Sequence, residues 1–206
     1  MIIAVDGPTA SGKGTIAKSL AAHFGLPHLD TGLLYRAVGW QCALNGGDPD
    51  SEAQALAACS FADDLLANPE LRSELTGGLA SRVSVHPAVR EALFERQRKF
   101  ATQPGGAVLD GRDIGTVIAP EAEVKLFVTA SVPARAGRRF QEMRDAGRTA
   151  TLPEIEADLA ARDLRDATRA EAPLIAAPDA LVFDTSLYDR AEAIARAIAL
   201  VEARLK

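Results

Sequence analysis

A glycine-rich segment near the amino end of the chain has the residue types that bind phosphate. It reads GPTASGKGT over residues 7–15, with two glycines separated by four residues and a lysine directly after the second. Backbone N–H groups of such a loop surround a phosphate, and a helix that follows adds the positive end of its dipole. The ammonium group of Lys13 can then reach the β- and γ-phosphates of a nucleotide. The segment therefore predicts a phosphate-binding loop, although an ordinary Gly-rich turn also matches this pattern.

The segments around this loop supply the strand and the helix that it requires. Short apolar runs alternate with helical patterns along the chain, which predicts βα units and an α/β fold with a five-stranded parallel sheet flanked by helices. The predicted strands are 2–5, 27–29, 107–109, 124–128 and 180–183. The predicted helices are 14–24, 32–44, 87–102, 133–146, 153–169 and 187–203.

Two stretches of the chain interrupt this alternation. Residues 45–86 contain a helical pattern at 51–66 and paired glycines at 77–78, with little strand pattern. We expect them to form a small inserted lobe between the second and third strands. Residues 138–169 follow the fourth strand, and we expect them to form a mobile helical lid.

The composition is that of one globular domain over residues 1–206, with 48% hydrophobic and 25% charged residues. The chain contains no apolar run of about 18 residues for a membrane span, and its first residues lack the pattern of a signal peptide. Cys42 and Cys59 have no metal-ligand spacing, which indicates buried thiols in a reducing compartment. A net charge of −5 disfavours nucleic acid as a partner. We therefore expect a cytoplasmic monomer that binds neither membranes nor nucleic acid.

Polar residues follow the second and third predicted strands, where ligands bind in open α/β sheets. Asp30 and Thr31 follow the second strand and open a helix. Arg36 lies one turn inside this helix, where its side chain could reach an anion bound near the helix start. A plainer interpretation is that Asp30 or Thr31 simply caps the helix, and the two roles are compatible. Asp110, Arg112 and Asp113 end the third strand. Arg112 suits a phosphate and Asp110 suits magnesium, whereas a surface turn is the alternative.

A charged helix lies at 153–169. Arg162, Arg165 and Arg169 stand on it with Asp163 and Asp166. Guanidinium groups closing over a phosphoryl group would stabilise the charge that develops on its oxygens. The alternative is a solvated face laced with ion pairs at i, i+3 and i, i+4. Further candidates are Arg138, Arg139 and Arg148.

Together these segments resemble the bacterial cytidylate kinases. The shared motifs are the loop, whose GKGT ending is typical of nucleoside monophosphate kinases, DGRDIGTV at 110–117 and RDLRDATRAEAPL at 162–174. The resemblance runs nearly end to end, and 45–78 is the main part that it leaves uncovered. Better-known members carry a longer insert there. The resemblance implies an acceptor-binding lobe at 45–86 and a helical lid at 138–169.

The resemblance also implies an activity: direct in-line transfer of phosphate from ATP, with Mg²⁺, to CMP or dCMP. ATP would bind the loop residues Gly7, Pro8, Thr9, Ala10, Ser11, Gly12, Lys13, Gly14 and Thr15. The acceptor would contact Thr31, Tyr35, Arg36, Ser81, Arg90, Arg112, Asp113, Arg162, Asp166 and Arg169. The catalytic residues would be Lys13, Arg112, Arg162 and Arg169. Thr15 and Asp110 would hold Mg²⁺, largely through water.

The same resemblance places Ser81, Arg90 and Asp113 at the cytosine. An ionised Asp accepts from the N4 amino group and an Arg donates to N3 and O2, whereas uracil presents the opposite pattern. We therefore expect a clear preference for cytosine over uracil. Two other classes stay open. One is a P-loop kinase for another small molecule; the other is a nucleotide switch, although the Asn-Lys-x-Asp motif of GTPases is absent.

Overall fold

The computed structural model describes all 206 residues, Met1–Lys206, and is built around a five-stranded parallel sheet. The strands are β1 (Ile2–Asp6), β2 (His28–Asp30), β3 (Ala107–Gly111), β4 (Val124–Thr129) and β5 (Leu181–Asp184). Their order across the sheet is β2-β3-β1-β4-β5. This confirms the predicted sheet, with strand ends shifted by one or two residues.

The register of the central strand β1 decides which chain segments meet at one edge of the sheet. Asp6, the last residue of β1, pairs with Gly111 of β3 on one side and with Phe127 of β4 on the other. The loop that follows Asp6 therefore starts beside the Asp110–Asp113 motif. The pairing of β1 with both β3 and β4 brings these segments together at the carboxyl ends of the strands.

Eight α-helices accompany the strands. They are α1 (Lys13–Phe24), α2 (Thr31–Leu44), α3 (Glu52–Ala57), α4 (Glu74–Val83), α5 (Pro87–Ala101), α6 (Val132–Asp145), α7 (Leu152–Thr168) and α8 (Arg190–Leu205). Ser131 caps α6 and Thr151 caps α7. The six helices predicted from the sequence are confirmed, and α8 starts three residues late because Asp189 caps it by accepting from the N–H of Glu192. No helix has both the length and the apolar character that a membrane span requires.

The segment between α2 and α5 differs from the sequence prediction. The helical pattern at 51–66 forms α3 and two short 3₁₀ helices, Ala58–Ser60 and Asp63–Ala67. Helix α4 was not predicted, because Gly77 and Gly78 lie inside it and glycine has a low helix propensity. Its start is stabilised by Ser73, whose side chain accepts from the N–H of Thr76.

The chain divides into two compact units. The first comprises Met1–Leu29 and Ala101–Lys206. In its core, Ile3 and Leu126 of the sheet pack with Leu20 of α1 and Val201 of α8. This unit contains the phosphate loop, the Asp110–Asp113 motif and α7.

The second unit comprises Asp30–Phe100 and contains the predicted lobe at 45–86. Helices α2 and α4 approach closely in it, since a Cβ added to Gly39 would lie 2.8 Å from the Cβ of Leu79. The lobe is therefore part of a larger helical unit that includes all of α2.

Two adjacent glycines before β3 provide a test of this strand pairing. Gly105 and Gly106 both have φ +89°, but only at Gly106 would a Cβ meet the backbone, at 1.9 Å from the carbonyl oxygen of Met1. We expect Gly105→Ala to cost about 1–2 kcal/mol of unfolding free energy through its left-handed backbone. Gly106→Ala should cost about 3 kcal/mol or more, because it also separates β1 from β3. Urea unfolding of both variants measures the difference, and equal losses would contradict the register.

Candidate active site

The phosphate loop is held in a conformation that depends on its glycines. Gly7 has φ +152°, and a Cβ there would lie 2.0 Å from the carbonyl oxygen of Val128 in β4. Gly12 has φ +89° and Ala10 has φ +62°, so the loop passes through the left-handed region twice before α1 begins. Left-handed backbone at a non-glycine residue is a strain that functional loops often store.

Several polar groups of this loop suit an anion. Gly12 is the N-cap of α1 and, having no side chain, supplies no acceptor for the N–H groups of the first turn. The hydroxyl of Ser11 is buried and makes no hydrogen bond within the protein. Lys13 starts the helix. A phosphate would satisfy these groups and the helix dipole together.

The segment after β5 supports the loop from behind. Thr185 Oγ1 donates to the carbonyl oxygen of Ser11 at 2.8 Å. Arg138 of α6 donates from Nη2 to the carbonyl oxygen of Thr185 at 2.5 Å and from Nη1 to that of Ser11 at 3.4 Å. Thr185 was not found from the sequence, since a threonine after an edge strand carries no local signal.

Asp110 lies at the end of β3, buried, beside the first turn of α1. Its Oδ1 is 2.7 Å from Nε2 of His28, and its Oδ2 would lie 3.5 Å from a Cβ added to Gly14. His28, for which the sequence predicts no role, contacts this buried carboxylate. Protein residues form no cluster of three or more metal-ligating side chains. One carboxylate near the loop and the hydroxyl of Thr15 fit Mg²⁺, which usually takes one or two carboxylates, substrate phosphates and water.

Asp113 is buried, and Arg112 is half-buried with contacts inside the same unit, so the surface-turn alternative is wrong. Arg112 donates from Nη2 to Oγ1 of Thr9 at 2.7 Å and from Nε to the carboxylate of Asp166. Burial lowers the pKa of Arg112, but the charge and hydrogen bond of Asp166, together with the charges of Asp113 and Asp163, outweigh it and the net shift is upward. Nη2 of Arg169 lies 3.9 Å from Oδ1 of Asp113. The phosphate loop, the strand-end motif and α7 thus meet within the first unit.

Helix α7 turns part of its charged face inward. Arg162 and Asp166 are buried, whereas Arg165 is exposed. The alternative of a solvated face is therefore wrong for Arg162 and Asp166. Burial, and then the charge of Arg112, lower the pKa of Arg162. Two guanidinium groups close enough to repel each other make this region favourable for an anion.

Asp6 is a buried carboxylate at the same sheet edge, and it was not among the predicted site residues. It accepts hydrogen bonds from the N–H groups of Ile114 and Gly115, each at 2.8 Å, and so holds the turn that follows the strand-end motif. Burial raises the pKa of Asp6 from 3.8 to about 7, although the two hydrogen bonds from Gly115 and Ile114 lower it. The charge of Asp113 raises this pKa further, and the charge of Lys13 lowers it. The signal that could have identified Asp6 from the sequence is its position as an acidic residue directly before the phosphate loop.

This raised pKa makes stability depend on pH with a definite sign. The folded state releases the Asp6 proton near pH 7 and the unfolded state near 3.8, so Asp6 favours folding at low pH and this contribution is lost as pH rises through 7. Between about pH 5.5 and about pH 8 we expect a loss of about 2 kcal/mol. Asp6→Asn should remove that slope. Urea unfolding of both proteins at the two pH values measures it, and identical slopes would refute the assignment.

In the second unit the predicted site residues lie on α2 and α4 or at the start of α5. Asp30 caps α2 by accepting from the N–H of Leu33 at 3.2 Å, which confirms the capping interpretation. Arg36 donates from Nη1 to the carbonyl oxygens of Leu71 and Ser73, at 2.7 and 2.9 Å. Its guanidinium is thus oriented by the residues that lead into α4.

The remaining predicted residues of this unit are mostly buried. Thr31, Tyr35 and Ser81 are buried, and the guanidinium of Arg90 lies over the ring of Tyr35, 5.7 Å from its centroid. Arg90 also donates to the carbonyl oxygen of Ser84 at 3.4 Å.

A five-stranded parallel sheet flanked by helices, with a phosphate loop after its central strand, is the fold of the P-loop nucleoside monophosphate kinases. The crystal structure of an uncharacterized protein from Eubacterium ventriosum shares this fold, with a TM-score of 0.56 and 14% identity over 98% of each chain. The likeness to that structure establishes the fold alone.

Sequence comparison identifies the family within this class. The family model for cytidylate kinase matches residues 3–203. A cytidylate kinase of Xanthobacter autotrophicus is 54% identical over 99% of this chain and 98% of its own length. One of Azorhizobium caulinodans is 53% identical over 98% of both chains. The chain belongs to the cytidylate kinase family, and it is an enzyme, a nucleoside monophosphate kinase.

Proposed function

We propose that this enzyme transfers the γ-phosphoryl group of ATP to CMP and dCMP, giving CDP or dCDP and ADP. The observation that carries the proposal is the pair of guanidinium groups of Arg112 and Arg162 beside the phosphate loop. Arg112 contacts Thr9 of the loop, and its charge lowers the pKa of the buried Arg162. Concentrated positive charge next to a triphosphate site is what phosphoryl transfer requires. The cytidylate kinase relatives support CMP as the acceptor.

The donor would be held by the loop at 7–15. Its N–H groups, the hydroxyl of Ser11 and the ammonium of Lys13 bind the phosphates of ATP and orient the γ-phosphoryl group. Thr15 and Asp110 would hold Mg²⁺, partly through water. When bound, Mg²⁺ supplies charge neutralisation at the β- and γ-phosphate oxygens.

The transfer itself would be direct. An oxygen of the acceptor phosphate forms a bond to the γ-phosphorus while the bond to the β–γ bridging oxygen breaks, and ADP leaves with that electron pair. Arg36 and Arg112 neutralise the acceptor phosphate so that two anions can approach. Arg162 and Arg169 stabilise the negative charge on the transferring group. The lid at 138–169 excludes water, which would otherwise accept the phosphoryl group.

The acceptor base would be recognised by hydrogen bonds. We assign Ser81, Arg90 and Asp113 to the cytosine, and Thr31, Tyr35 and Asp166 to the remainder of the nucleotide. Asp113 accepts from the amino group at N4 and Arg90 donates to N3 and O2. The lobe at 45–86 would carry the acceptor contacts of the second unit. We further propose that the enzyme acts as a cytoplasmic monomer on small nucleotides alone.

A coupled assay of ADP release tests the function directly. With ATP and Mg²⁺, we expect turnover of CMP and dCMP to exceed that of UMP and AMP by about 100-fold or more in kcat/KM. Lys13→Ala should lower kcat by about 100- to 1,000-fold, because it removes a charge from the donor phosphates. Lys18→Ala, on the exposed side of the same helix, is the matched control and should match the parent. Faster turnover of AMP than of CMP, or ATP hydrolysis with no acceptor phosphorylated, would refute the proposal.

Base selection is tested at Asp113. We expect Asp113→Ala to lower the CMP-to-UMP ratio of kcat/KM by about 10-fold or more, since a charged hydrogen bond is lost for CMP and an acceptor–acceptor clash is relieved for UMP. The dissociation constant of ATP should change less than about threefold. Asp64→Ala, at an exposed position, serves as the control. An unchanged ratio would show that Asp113 does not contact the base.

A further inference from the structure

Arg135 of α6 is a buried arginine that takes no part in the proposed chemistry. Its side chain is 3% exposed, and every nitrogen of its guanidinium donates a hydrogen bond. Nε donates to the carbonyl oxygen of Ala130 at 2.9 Å, and Nη1 donates to that of Thr9 at 3.2 Å. Nη1 and Nη2 also form a bidentate contact with the carboxylate of Asp163, in which Nη1 lies 3.0 Å from Oδ1. One guanidinium thus joins α6, the phosphate loop and α7.

Helix α7 makes a second contact of the same kind three residues later. Asp166 accepts from Nε of Arg112, whose Nη2 donates to Oγ1 of Thr9. Thr9 is therefore held at its carbonyl oxygen by Arg135 and at its hydroxyl by Arg112. The two arginines and their two aspartates form a closed ring of polar contacts from the phosphate loop to α7 and back.

A small apolar core lies between α6 and α7. Ala136, Ile155 and Leu159 are buried there, and Ala10 of the phosphate loop packs against them. Three residues of this core are buried, and the other apolar side chains that pack against them are only partly buried. The polar ring adds directional contacts that the apolar side chains cannot supply.

We propose that Arg135 and Asp163 are positioning residues that fix α7 against the phosphate loop, and so place Arg162 and Asp166 for phosphoryl transfer. This inference rests on the proposed function. Lysine cannot replace Arg135, because an ammonium lacks the planar fork that reaches three acceptors at once. Removing the charge of Asp163 leaves a buried guanidinium without its anion. A shift of about 1 Å in α7 would be enough to lower the rate about 100-fold.

Kinetics of Arg135→Lys, Asp163→Asn and the double variant test the proposal. We expect each single variant to lower kcat for CMP phosphorylation by about 10-fold or more, and the double variant to be within about threefold of the worse single one. The dissociation constant of ADP, by calorimetry, should change less than about threefold. Asp163→Glu, which keeps the negative charge that Asp163→Asn removes, should retain most of the parent kcat. Arg204→Lys and Asp64→Asn, at exposed positions outside the lid, are controls. A kcat within about twofold of the parent, or losses that multiply in the double variant, would overturn the proposal.

Hydrogen exchange of the ligand-free protein provides a readout that does not depend on the reaction. In Arg135→Lys and Asp163→Asn, the amides of α7 should exchange faster while those of α8 stay as in the parent. Unchanged exchange in α7, or equal acceleration in α8, would overturn the positioning role. If the parent itself fails to phosphorylate CMP, the proposed function is refuted, and the exchange result alone decides whether Arg135 and Asp163 hold α7.

Discussion

Positive charge buried beside the phosphate loop governs how the surrounding polar residues are arranged. A guanidinium group taken out of water is costly unless anions surround it. The protein supplies some of those anions itself, with Asp166 against Arg112 and Asp163 against Arg135. Arg162 lies where the charge of Arg112 disfavours it. A site of this kind gains most from a ligand that brings negative charge, and two nucleotides bring several.

The parallel pairing of β1 explains how these charges come together. Because β3 and β4 flank β1, the phosphate loop starts next to the strand-end motif, and Asp6 reaches across to bind the amides of Ile114 and Gly115. Asp6 gives this turn a fixed conformation at the expense of a desolvated carboxyl group. Stability and site geometry are thus linked at one residue, which is common where a fold builds a functional edge.

Local sequence was enough for most elements, and the exceptions have physical reasons. Strands were recognisable as short apolar runs, and helices such as α6 and α7 had cap residues at their starts. Helix α4 was missed because packing against α2 outweighs the low propensity of Gly77 and Gly78. The extent of the second unit was also not apparent, since α2 reads as an ordinary helix after a strand and only its contacts show which unit it joins.

The phosphate loop, the α/β fold and the family could be predicted from the amino-acid sequence, because these depend on residues close together in the chain and on motifs of fixed spacing. Which charges meet depends instead on the three-dimensional fold. Arg112 contacts Thr9 across 103 positions and Arg135 contacts Asp163 across 28, and no local pattern encodes such pairs. Burial decided the pKa of Asp6 in the same way, since the pKa of a carboxyl group follows from what surrounds it in space.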